Sequence, residues 1–411
     1  MCARWLTRAD NGVLQAALSL VLLSSTAFQV GWPESMVFGI QRVRRRPDRV
    51  VADGIVVTVL GGVACAVTAW AGSDVILARL LPGGTEADLA LTVALVWITL
   101  TARIFGAVAR SVDRFVATTT HIVVGQVLRV LGVVALAVTA PSDATAALGV
   151  VVAAEAVALV PLVVQVWSVT GATFRLRTGA WRKTLAYAVK AVSQQLGNDV
   201  HERVDLFLLA AILADPEQLA IYGLAVGLAE RLRRFTTPLT LAALPTLASL
   251  PPAAAARAAA RIVRFTFVFS IGVCAVIAAV SIPGVPLVFG EPYRPSLGPL
   301  LVLLAAVVAL AAHNILSTWF SAVDRQGVNA AVLAVSIVVN VALNLLWIPD
   351  YGVMGSAAAS LVSYGLESVL SSVFFLSASG LGWRDLLVPE PGEVADRVAY
   401  LRGLAGRLRR R

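Results

Sequence analysis

Apolar residues run along this chain in blocks of about twenty, a length that spans the hydrocarbon core of a bilayer as a helix, with short polar clusters between them. Eleven blocks stand out, at approximately 12–32, 50–71, 88–108, 118–139, 146–168, 185–213, 218–247, 264–288, 297–320, 328–348 and 354–377. Barrel strands would show shorter segments alternating with a period of two. In lipid every backbone N–H and C=O must be bonded inside the protein, so each block predicts a membrane-spanning α-helix. The end of the chain, 384–411, is arginine-rich with apolar patches and predicts a cytosolic tail on the membrane surface.

Composition agrees. Hydrophobic residues make up 58% and charged residues 14% of the 411, with a mean hydropathy of +0.84. A soluble protein carries roughly 25% charged residues. The net charge of +9 would suggest nucleic acid in a soluble chain, but here the arginines sit in short loops, as topology signals do. One set of alternating loops holds 41–49, Arg110 to Arg114, 173–183, Arg257, Arg261, Arg264, Arg325 and the tail. It carries 22 Lys and Arg, against four in the opposite set (Arg4, Arg8, Arg79, Arg294). The first set, with the C-terminus, is expected in the cytosol, in a cell membrane crossed many times. The first block then runs from outside to inside without a cleavable signal peptide, and one helix is expected to be missing ahead of it.

The longest mid-chain cytosolic loop divides the chain into an N-terminal lobe (1–172), a linker (173–184), a C-terminal lobe (185–383) and the basic tail (384–411). A weak repeat crosses the divide. Val112-Asp113-Arg114 recurs as Val323-Asp324-Arg325, offset by 211 residues, and Glu155 recurs as Glu367, offset by 212. Six blocks lie within that offset, so the copies keep one orientation: a parallel repeat. The fold class expected is all-α and membrane-embedded, with about eleven helices in two pseudosymmetric bundles around a central cavity.

Charges inside a bilayer cost roughly 2.5–3.5 kcal/mol each on insertion scales and mark partners or wet cavities. The densest group lies in 185–213. Gln194, Asn198, Glu202 and Asp205 share one helical face, with Gln195, Asp199 and Arg203 beside it. Glu230, Arg231, Arg233 and Arg234 interrupt the next block. Three readings fit these arginines: a basic cavity lining that engages phosphate, pairing with Asp199, Glu202 and Asp205, or snorkelling to the interface. Secondary cavity candidates are Arg129, Glu155, Asn340, Asn344 and Glu367, with Arg103, His121 and His313 nearby. Asn340 and Asn344, one turn apart, suit interhelical hydrogen bonds better than cargo. Gly223 and Gly227 form a GxxxG pair that permits close helix approach. Neither a Walker A, GxSxG nor HExxH motif occurs, external loops such as 141–145 and 214–218 are short, and Cys2, Cys65, Cys274 and the three histidines are scattered. No enzyme, cofactor or metal site is expected; a secondary transporter is.

The second lobe resembles the Wzx-type polysaccharide flippases of the multidrug/oligosaccharidyl-lipid/polysaccharide exporter superfamily. The carrying residues are Asp205 followed by Ile221-Tyr222-Gly223-Leu224-Ala225, Pro245, Phe289-Gly290-Glu291-Pro292-Tyr293, Asn340 to Leu345, and Ile348-Pro349 through Gly352 and Gly355 to Ala358. The first lobe matches more loosely, through 31–35 and the Val-Asp-Arg turn. The resemblance implies a cargo of polyprenyl-diphosphate-linked oligosaccharide, carried by alternating access from the cytosolic to the outer leaflet for cell-surface polysaccharide assembly, such as O-antigen export. Arg203, Arg231, Arg233 and Arg234 would engage its diphosphate. Asp199, Glu202 or Asp205 would bind a proton or Na⁺. Partners are then the lipid-linked glycan and membrane lipid, not nucleic acid. The alternatives are a multidrug/cation antiporter of the same superfamily, a membrane polymerase or ligase of glycan assembly, or an inactive scaffold.

Overall fold

The structure, a computed structural model, describes residues 6–41, 46–139, 143–171, 197, 201 and 203–388; at a few of these positions, 232–239 among them, only the backbone is described. Every regular element among the described residues is helical. The long ones are α1 (Arg8–Gln29), α2 (Trp32–Gln41), α3 (Pro47–Ala71), α4 (Glu86–Ser111), α5 (Phe115–Thr139), α6 (Ala144–Thr170), α7 (Pro216–Ser249), α8 (Pro252–Phe289), α9 (Leu297–Ala322) and α10 (Gln326–Ser379).

Eight helices among the described residues are long and apolar enough to cross a membrane, and the chain is a multi-pass membrane protein. The expected block 185–213 falls largely outside the described residues. The block 218–247 forms α7, whose apolar run is interrupted by the charges at 230–234. The blocks 328–348 and 354–377 both lie in α10, which breaks at Gly352 (φ 55°, ψ −132°), three residues after Pro349. A side chain would be strained in that conformation, so glycine sits at the hinge between two spans.

Helix starts are capped as their sequences dictate. Thr85 and Asp88 form a reciprocal capping box at α4, and Asp143 accepts from the Ala146 N–H at 2.7 Å at α6. These caps also tie helices together. Thr145 Oγ1 donates to Asp88 at 2.8 Å, and the Ala144 N–H donates to Asp10 at 3.2 Å. The starts of α1, α4 and α6 therefore share one end of the bundle, as strict alternation of spans requires. At that end Arg8 pairs with Glu217 at 2.8 Å, and Asn11 Nδ2 donates to the Tyr293 hydroxyl at 3.0 Å.

The two Val-Asp-Arg turns share one geometry. Asp113 and Asp324 both have φ 58°. The Arg114 N–H reaches the Ala109 carbonyl at 2.8 Å, and the Arg325 N–H reaches that of Phe320 at 2.7 Å. Each is a six-to-one helix-terminating bond with a left-handed residue inside it.

The described residues group into two compact units interleaved in sequence. The first comprises the chain up to Ala225, Pro283–Pro299 and Ile337–Ala359; the second comprises Val226–Ile282, Leu300–Ser336 and the chain from Ser360 onward. In the first, Trp32, Met36, Val50, Ile104, Phe105, Leu162 and Val166 form a core between α2, α3, α4 and α6. In the second, Trp319 packs edge-to-face on Phe375 at 4.8 Å. The face of α5 bearing Val123, Val127, Leu131 and Val138 is exposed, as a lipid-facing surface should be.

Candidate functional site

Within the first unit the apolar packing of α1, α4, α5 and α6 is interrupted by a group of polar side chains around one cavity. On α4, Thr99, Arg103, Gly106 and Arg110 follow one another at helical spacing. On α5, Thr118, His121, Gly125 and Arg129 do the same. With Gln29 from α1, Pro33 from α2 and Glu155 from α6, all but Gly125 line a cavity of about 410 Å³, within the roughly 300–1,000 Å³ typical of small-ligand sites.

Three guanidinium groups face one carboxylate here. Arg103 Nη1 donates to Thr26 Oγ1 at 2.7 Å. Arg129 Nη2 pairs with Glu155 Oε1, and His121 Nε2 lies 3.7 Å from Glu155 Oε2. Gly125 makes room for that carboxylate, because a Cβ there would lie 2.9 Å from Glu155 Oε1. Four polar atoms of the lining are buried without a hydrogen-bond partner: Gln29 Oε1, Thr118 Oγ1, His121 Nδ1 and Arg129 Nε. Gln29 is only 2% exposed. Buried polar atoms are nearly always satisfied, so these four leave donors and acceptors in the cavity for water or a polar ligand.

The sequence expectations fall in different places. Arg129 and Glu155 meet in this cavity, joined by Arg103, Arg110, His121, Gln29 and Thr118. Arg103 and His121 stand singly in the sequence; the signal that groups them with Arg110 and Thr118 is the helical periodicity of polar positions on α4 and α5. Asp205 is buried, accepting from the Tyr222 hydroxyl at 2.5 Å and the Leu206 N–H at 2.8 Å. Arg203 is half-buried and Arg231 exposed. Asp199, Glu202 and the side chains of Arg233 and Arg234 lie outside the described residues. Asn344 Nδ2 donates to the Asn340 carbonyl at 2.9 Å and side-chain oxygen at 3.0 Å, an intrahelical pair apart from the cavity lining.

In the second unit Glu367, 2% exposed, lies 3.2 Å from His313 Nε2. His313 Nδ1 meets Ser371 Oγ at 2.7 Å, and Ser336 Oγ donates to Glu367 Oε2 at 3.4 Å. Ser336 stands 211 residues after Gly125, as Glu367 stands 212 after Glu155. In each copy of the repeat the earlier position touches the later carboxylate. Among the described residues no three His, Cys, Asp or Glu converge as metal ligands.

Comparisons with known proteins agree with this architecture. Residues 1–250 match the family described as polysaccharide biosynthesis protein. Over 104 residues the chain is 26% identical to the probable low-salt glycan biosynthesis flippase Agl15 of Haloferax volcanii; the match covers 24% of this chain and only 22% of that protein's length. An inward-facing multidrug resistance transporter of the MATE family, in the MOP superfamily, superimposes with a TM-score of 0.68 at 12% identity over 91% of this chain and 93% of its own. The lipid II flippase MurJ, in an inward closed conformation, does so with a TM-score of 0.67 at 11% identity over 92% and 86%. At these identities the structural likeness shows a shared two-lobed helical fold.

Proposed function

The chain belongs to the polysaccharide biosynthesis protein family, and we propose that it is a flippase carrying a polyprenyl-diphosphate-linked oligosaccharide from the cytosolic to the outer leaflet of the cell membrane, with its C-terminus in the cytosol. The observation that carries this reading is the cationic cavity of the first unit. Three arginines in a membrane bundle are costly unless they hold an anion. The planar guanidinium fork suits phosphate oxygens, two at a time. The cavity runs from mid-helix on α5 and α6 to the end of α4 at Arg110, the arginine-rich and hence cytosolic end, where such a cargo is made. Agl15 and MurJ bear the names of flippases for glycan assembly and for lipid II, in keeping with this assignment. Arg203, Arg231, Arg233 and Arg234 supply further cationic contacts in this proposal, and Asp199, Glu202 or Asp205 couples transport to a proton or Na⁺. The protein carries its cargo unchanged rather than acting on it as an enzyme. A carrier of cationic drugs would gain nothing from a lining in which guanidinium outnumbers carboxylate.

The charge-neutral double variant R129Q/E155Q tests the cavity without leaving a lone charge. In proteoliposomes loaded with a labelled lipid-linked oligosaccharide, translocation should fall at least about tenfold, a loss of about 1.4 kcal/mol of binding. Thermal unfolding should stay close to that of the unmodified protein. Unchanged translocation in the variant would remove the cavity's role, and failure of the unmodified protein to translocate this cargo, or resistance to cationic drugs conferred on a sensitive host, would remove the flippase assignment.

A further inference from the structure

The cavity already holds one anion of its own. Glu155 meets Arg129 through one carboxylate oxygen and one terminal nitrogen, while Arg129 Nε, also buried, has no partner. Half of the guanidinium fork is thus unused. A tetrahedral phosphate oxyanion presents oxygens enough to fill both halves. Around it stand two further buried groups able to donate and lacking a partner, Thr118 Oγ1 and His121 Nδ1.

We propose that Glu155 is the displaceable occupant of the anion site. The cargo's phosphate oxygens take its place on Arg129, and the released carboxylate takes up one proton, held between Glu155 and His121, so that anion and proton enter the cavity together. This deepens the flippase reading and rests on it. The charged and titratable groups facing Glu155 are Arg103 and Arg110 from α4 and His121 and Arg129 from α5; α1 brings Gln29 and α2 brings Pro33, while the buried Asp53 of α3 is not part of the lining. An ionised Glu155 and an incoming oxyanion would then be like charges sharing one guanidinium. Protonation removes that repulsion, and His121 at 3.7 Å stands ready to hold or pass the proton. Gly125, with no side chain of its own, leaves the carboxylate space.

Linkage sets the sign. If the anion-bound state holds one more proton than the free state, anion affinity rises as pH falls, by up to about tenfold per pH unit wherever that difference of one proton holds. The test is calorimetric titration of the full chain in lipid nanodiscs with sodium sulfate, whose charge does not change from about pH 5.5 to 8.5, at fixed ionic strength. Two buffers of different ionisation enthalpy count the protons. We expect about one proton taken up per sulfate bound, and binding to E155Q/H121Q that is as tight at high pH as at low, with no uptake. Sulfate bound without proton uptake would overturn the linkage and leave the anion cavity standing. Sulfate binding that is absent, or unaffected by R129Q/E155Q, would remove the cavity itself as an anion site.

Discussion

Asp205 stands on the helical stretch 203–213 with its carboxylate buried and held by the Tyr222 hydroxyl across a short turn. A buried carboxylate is tolerable only while its oxygens are bonded, and removing one partner costs about 1–3 kcal/mol, more for a charged group. Tyr222→Phe keeps the ring, which is itself buried, and deletes the bond alone. It should lower the apparent Tm in detergent by a few degrees at most, since a loss of about 1 kcal/mol shifts Tm by about 2–4 °C in a domain of roughly 150–250 residues and by less in a larger chain. An unchanged Tm would mean that the hydroxyl contributes no stability there. The contrast with Glu155 is instructive: Glu155 borders a cavity with unsatisfied neighbours, whereas Asp205 is tied to the adjacent Leu206 N–H and to Tyr222 of the next helix.

Helices in lipid gain nothing from hydrophobic burial against one another, so they associate where small residues let backbones touch. Gly12 of α1 is such a point: a Cβ there would lie 1.8 Å from the Pro216 carbonyl oxygen at the start of α7. Gly132 of α5 is another, with Val150 of α6 at 2.4 Å, whereas Gly149 has nothing within 4 Å. Gly12→Ala should therefore force α1 away from the 216 turn and destabilise by about 1–3 kcal/mol, the usual cost of overpacking. Gly149→Ala should be neutral or slightly stabilising, since alanine is the better helix former by about 1 kcal/mol. Equal apparent Tm values for the two variants would contradict the close approach. The same test sorts the GxxxG pair. A Cβ at Gly223 would lie 2.7 Å from Gln15, while one at Gly227 would face open space, so only half of the motif is used.

Across the whole molecule the starts of α1, α4 and α6, the Pro216 turn and the Tyr293 turn share one end, and the arginine-poor loops are those at that end. With Cys2, Cys65 and Cys274 replaced, a single cysteine at Asp215 should react with an impermeant maleimide added to intact cells. One at Asp324 should react only after permeabilisation, because arginine-rich loops are retained in the cytosol. The reverse pattern would invert the orientation and place the cationic cavity's arginine-rich end outside.

Hydropathy and arginine bias alone determined that the chain is helical, spans a membrane repeatedly and alternates in direction, because lipid leaves an apolar twenty-residue segment no other conformation. The Val-Asp-Arg turns and the Glu155 and Glu367 positions were legible too, as a spaced repeat. Tertiary structure decided which polar residues act together. Charge density along the chain singled out 194–205 and 230–234, yet the cavity that is described draws residues from five helices, among them Gln29, Pro33, Arg103, Arg129 and Glu155. Arg103, Arg129 and Glu155 stand out in the sequence only as isolated charges within their spans, and Gln29 and Pro33 do not stand out there. Their convergence depends on the rotation of each helix about its axis, and that is set by packing contacts such as Gly132 against Val150 and Trp32 in its core, between residues far apart in sequence.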